Sequence, residues 1–148
     1  MTILQPIIGV AANERRDAGD DMGHMAISYN PSGYIKAVQI VGGLPIMIPI
    51  GDPLSAKRYI SMIDKLVLAG GQNVAPEFYG EVETIKSNDY NRERDAFELA
   101  LINEAKCLLM SRNNMTEEEA HRYIQKCSMD SSRNMVETAQ MILAVMKS

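Results

Sequence analysis

The sequence is short of the residues that usually announce a chemistry. Its 148 positions hold two cysteines, two histidines, two phenylalanines and no tryptophan. Cys107, Cys127, His24 and His121 show no CxxC or HxxxH spacing, so neither a structural metal nor a cofactor is expected. No apolar run approaches about 18 residues, which argues against a membrane-spanning helix, and no basic-then-apolar leader opens the chain. A cytoplasmic setting is therefore expected, where both cysteines stay thiols.

What is present is unevenly distributed. Residues 1–104 carry nine Lys/Arg against fourteen Asp/Glu, a net charge of -5, whereas residues 105–148 carry six against five, a net +1. The shift weakly favours a polyanionic partner for the second part. The same boundary separates two patterns. PIIGVAAN (6–13), LPIMIPI (44–50) and KLVLAGG (65–71) read as short buried strands, with Pro45 and Pro49 marking the second as an edge strand. Between them, Tyr34, Ala37, Val38 and Val41 fall at helical spacing before Gly42-Gly43. Asp52 and Pro53 then start a second helix as N-cap and first residue. Asp17 to Gly23 and most of Gln72 to Asn91 read as loops, and a long helix opens at Arg92. Strands alternating with helices predict a parallel sheet with right-handed crossovers.

The C-terminal part reads as helices alone. SRNNM predicts a turn, and Thr116 with Glu119 forms a capping box for a helix with Ala120, Tyr123, Ile124 and Cys127 on its apolar face. A third helix is expected near Asn134, with a stripe of Val136, Ala139, Leu143 and Met146. In FELALINEAKCLLM (97–110), Phe97, Leu101, Ala105 and Leu108 make one stripe across the boundary. The first half of that helix is expected to pack on the sheet and the second half in the helical bundle.

The segments PIIGVAAN, GYIKAVQIVGGLPIMIPIGD, LVLAGGQNVAPEFYG and RERDAFELALINEA, in that order, resemble the class I glutamine amidotransferase-like hydrolases of the gamma-glutamyl-gamma-aminobutyrate hydrolase (peptidase C26) type. The resemblance implies a flavodoxin-like α/β domain over residues 1–104, truncated to about three strands. It also implies that Gly70-Gly71 lie where backbone amides support a developing oxyanion. A tight strand-to-loop turn explains the same glycines. The family's nucleophilic cysteine stands on a sharp turn before a glycine. Cys107, in the helical setting AKCLLM, does not match it, and His121 has no obvious acidic orienter. A departure also occurs at Asn73, where the family usually has Asp.

From Ala105 onward, Ala105-Lys106, Leu109-Met110, Glu118-Glu119-Ala120, Tyr123-Ile124, Ser128-Met129-Asp130, Ala139 and Ile142-Leu143 resemble an ANTAR domain, the RNA-binding output module of antitermination regulators. This implies a three-helix bundle over 105–148, often dimeric, that binds paired hairpins of a leader transcript. Lys106, Arg122, Lys126 and Arg133 are the candidate RNA-binding residues, because phosphate and loop bases need cationic and polar side chains on one face. A phosphorylated receiver domain is not expected, since the first strand ends in Ala12-Asn13 and the third in Ala69-Gly70-Gly71 without an aspartate.

The leading expectation is an RNA-binding antitermination regulator with a catalytically incomplete N-terminal domain, acting as a homodimer and sensing a small gamma-glutamyl ligand. Two alternatives stand beside it: a gamma-glutamyl hydrolase whose active site is completed elsewhere, and a chimera without joint function.

Overall fold

The computed structural model describes residues 4–70, 73–84 and 90–130, the last four without their side chains. Gly71, Arg133, the Cys127 side chain and the expected third helix with its stripe lie outside the described residues.

Three parallel strands form the sheet: β1 (Ile7–Ala11), β4 (Leu44–Ile48) and β5 (Lys65–Leu68), in the order β4-β1-β5. Ile7 pairs with Leu44 and Ile8 with Lys65, so β1 is central, and β4 takes the edge position that Pro45 demands. The chain moves from β1 out to β4, then back across β1 to β5. Right-handed crossovers in opposite directions must lie on opposite faces of the sheet. Helix α1 (Ser32–Ile40) accordingly packs Val38, with Tyr34 and Ile35, against Ile8, Val10, Val67 and Ala69. On the other face α2 (Ala56–Met62) and α3 (Arg92–Asn113) enclose Ala11, Ile48, Ala56, Ile60, Phe97 and Leu101. The period-two alternation along β1 sorts these residues between two cores, and the result is a three-layer α/β fold.

Local chemistry sets most helix ends. Asp52 caps through its carboxylate, which accepts the Leu54 amide at 2.9 Å, but the first turn it starts is a 3-10 turn (Pro53–Ser55) that leads into α2. Gly42, at φ +82°, follows α1 where a side chain would be strained. The expected turn at SRNNM is shorter than its five residues, because α3 continues through Asn113 and ends on Asn114 in the left-handed conformation. Asparagine tolerates that geometry as few residues other than glycine do. The capping box closes as expected, with Glu119 accepting the Thr116 amide at 2.8 Å and Thr116 Oγ1 accepting the Glu119 amide at 3.2 Å. Helix α4 (Glu117–Asp130) follows.

Two further features depart from expectation. The segment read as one strand over 6–13 breaks at Ala12, and Asn13–Arg15 (β2) pairs antiparallel with Ile27–Tyr29 (β3). Strands of three residues are too short for alternation to reveal them. The two halves of α3 also do not divide cleanly between sheet and bundle, since Ala105 and Leu108 pack on the same core as Phe97 and Leu101. A continuous stripe on a continuous helix keeps presenting one face, so α3 lies along α2 and also meets α4, where Ala120 is fully buried.

Candidate functional site

In a doubly wound sheet the crevice for a ligand opens at the carboxyl ends of the strands, where the direction of winding reverses. Here that place is the pair of chain segments leaving β1 and β5. Asn13, just past β1 and buried, donates from Nδ2 to the Gly70 carbonyl at 2.9 Å and so ties the two segments together. The Gly70 amide donates to the Tyr34 hydroxyl at 3.1 Å. Asn30, after β3, donates to the Ala11 carbonyl at 2.9 Å, and its Oδ1 is buried with no hydrogen-bond partner. A buried acceptor without a donor costs free energy. The Gly70 amide, expected to support an oxyanion, serves an anion only after exchanging its tyrosine partner.

The start of α3 forms the floor of this region. Asn91 caps the helix by accepting the Arg94 amide at 3.0 Å. One turn in, Arg94 is buried, donating from Nη2 to the Ala69 carbonyl at 3.2 Å and from Nε to Glu98 at 3.0 Å. Asp95, also buried, accepts the Ala75 amide at 2.9 Å and anchors the loop after β5. Arg92 continues the anchoring outside, paired with Glu77 and Glu83, its guanidinium carbon over the Tyr90 ring at 5.7 Å from the centroid. Burial pushes the Glu98 carboxyl above the usual glutamate range, and the neighbouring Arg94 only partly opposes it. The cluster holds hydrogen-bond donors, acceptors and one carboxyl whose affinity for its proton is raised by burial. Cys107 is exposed within α3, on a regular helix rather than a sharp turn, and His121 is exposed on α4. Among the described residues no group of three His, Cys, Asp or Glu is placed to hold a metal ion.

Sequence reading passed over Asn13, Asn30, Tyr34, Arg94, Asp95 and Glu98 as site residues. A signal existed for two of them: Arg94 and Glu98 share the register of Phe97 and Leu101, so charge stands on a stripe that must be buried. No such signal marks Asn13 or Asn30, whose partners are 57 and 19 residues away.

The second region is the α3–α4 hairpin. Lys106 reaches from α3 to Glu117 at 2.9 Å, and Arg122 pairs with Glu118 one turn before it on α4. Lys126 is exposed. The Lys106 ammonium holds the Glu117 carboxyl below its ordinary value of 4.5, and the Thr116 amide does the same for Glu119. A carboxylate depressed in the folded state contributes stability that is present above the unfolded value and lost as pH falls through the folded one. The hairpin is thus expected to loosen below about pH 4.5. Thermal unfolding followed by far-ultraviolet circular dichroism between pH 6 and pH 3 checks this, and Glu117→Gln should flatten part of the dependence.

Comparison with known proteins matches this chain to two families. The family model for Peptidase C26 matches residues 6–110, and that for the ANTAR domain matches residues 93–143. The two matches share residues 93–110, which all lie in α3. Protein NtpR of Enterococcus hirae is 47% identical over 102 residues, covering 69% of this chain and 43% of its own length. The glutamine amidotransferase-like protein YvdE of Lactococcus lactis is 37% identical over 79 residues, covering 53% of this chain and 34% of its own. The chain thus spans well under half the length of these relatives. No helix among the described residues is long and apolar enough to cross a membrane.

Proposed function

Because the chain belongs to the Peptidase C26 family over residues 6–110 and carries an ANTAR domain over 93–143, we propose that it is an RNA-binding antitermination regulator. The ANTAR match carries this reading, and its first helix is α3 itself. Lys106, Arg122, Lys126 and Arg133 supply the RNA contacts, and the partner is a pair of hairpins in a leader transcript, met in the cytoplasm by a homodimer. The boundary between the parts falls inside α3, with residues 1–104 and 105–148 on either side.

The amidotransferase-like part serves as a sensor in this reading. A small gamma-glutamyl compound brings the N–H donor that Asn30 Oδ1 lacks, and Gly70 with Gly71 remains as the trace of an oxyanion site. Titrating the protein against a two-hairpin leader RNA in a gel-shift experiment tests the regulator. Binding that weakens steeply with salt is expected, and no salt-sensitive shift at micromolar protein overturns the proposal.

A second reading is favoured by the family match and the strand-end cluster: a gamma-glutamyl hydrolase whose active site is completed elsewhere. Release of glutamate from gamma-glutamyl amides supports it, and none at high protein concentration removes it.

A further inference from the structure

Two of the four cations assigned to RNA end on glutamates of the first turn of α4. The capping box between Thr116 and Glu119 fixes the backbone of that turn, from which the two intervening glutamates project. Glu117 faces α3 and takes Lys106, while Glu118 takes Arg122 four residues on. The two sides of the first pair are unequally exposed: the Lys106 side chain is 18% exposed and that of Glu117 is 72%. A phosphate approaching Lys106 therefore meets the carboxylate first. Residues 105–130 carry four Lys/Arg and four Asp/Glu, so this stretch has no net charge with which to attract a polyanion.

We propose that Glu117 and Glu118 form a built-in mask on the RNA face, holding Lys106 and Arg122 away from phosphate and lowering the affinity of the hairpin for RNA. This rests on the RNA-binding reading above. Both pairs lie at the surface, where ion pairs are weak and screened by salt. The mask is thus weak, and it lowers affinity while leaving the other cations to bind.

The experiment compares the whole chain with the Glu117→Gln/Glu118→Gln double variant on one synthetic two-hairpin RNA across a salt series. An Asp21→Asn/Glu81→Gln variant makes the same charge change at exposed sites on the α/β part. Unmasking two cations is expected to tighten binding about tenfold at low salt and to steepen the slope of log K against log salt by roughly 1.4 to 1.8, at about 0.7 to 0.9 for each added phosphate contact. The control should gain less than about threefold and keep its slope, as long-range charge is screened. Lys106→Gln should change binding less than about twofold in the native background and erase about half the gain in the unmasked one, since each cation adds one contact.

Equal gains in the control and the masked-site variant, or an equal effect of Lys106→Gln in both backgrounds, overturn the mask. Native binding without any gain sinks the mask and leaves the RNA reading standing, whereas no binding by either protein sinks both. If the double variant loses helicity, Glu118→Gln leaves the α3 contact intact and carries the same test with half the change in slope.

Discussion

Phe97→Ala is expected to lower the free energy of unfolding by about 4 kcal/mol, the largest expected effect of any single truncation among the described residues. Phe97 is 1% exposed and sits between α3 and the sheet, with its ring edge-on to Tyr59 at a centroid distance of 5.9 Å. Removing it takes away the transfer free energy of a large side chain, leaves a cavity that neighbouring strands and helices fill only in part, and forfeits the aromatic contact. A domain of this size is stable by only about 5 to 15 kcal/mol, so the variant should stand near the limit of folding. Urea unfolding followed by circular dichroism measures the change. Leu99→Ala, on the exposed side of the same helix, should cost under about 1 kcal/mol. Equal losses at the two positions would mean that α3 is not seated in the core. Since α3 belongs to both family matches, the Phe97 variant should also weaken the helical part.

The second large effect is electrostatic. Arg94→Met removes the donor to the Ala69 carbonyl and leaves Glu98 without its cation in a site that water reaches poorly. Breaking one side of a buried pair costs about 3 to 5 kcal/mol, and the partial exposure of Glu98 points to the lower end, about 3 kcal/mol. The pH dependence separates this from simple loss of packing. An acid whose folded value is raised binds its proton more tightly when folded, so stability falls as pH rises from the ordinary glutamate value through the folded one. Without Arg94 that window extends to higher pH. The deficit of the variant should therefore be greatest at neutral pH and shrink toward pH 4, as seen in unfolding curves at the two conditions. Glu98→Gln keeps an acceptor for Arg94 but leaves its buried guanidinium without a counter-charge, so its cost should also be about 3 kcal/mol, and it should lack the pH dependence that Glu98 confers. A deficit independent of pH would assign the Arg94 effect to packing alone.

The two tests act on one helix from different directions. Phe97 and Leu101 hold α3 to the sheet through apolar burial, while Arg94 and Asp95 hold its first turns to the segments that follow β5. Arg94 meets the Ala69 carbonyl, beside Gly70, and the helix continues without a break to Lys106 and the α4 contact.

Local patterns were enough to read the elements that depend on neighbours in the chain. The strands of the parallel sheet followed from short apolar runs between glycines and prolines, and the caps at Asp52 and Thr116 from side chains two or three residues from the amides they meet. The stripe of α3 was legible for the same reason, because helical period alone puts Phe97, Leu101, Ala105 and Leu108 on one face. What no local pattern held was the strand-end cluster. Asn13 meets Gly70, Gly70 meets Tyr34 and Arg94 meets Ala69 across separations of 25 to 57 residues, and only the packing of α1, α3 and the sheet brings them together. The same holds for the cations of the second part: their number and spacing were written in the chain, but that Lys106 and Arg122 rest on glutamates was decided by how α4 folds back on α3. Periodicity selects a face of a helix; tertiary structure decides what that face meets.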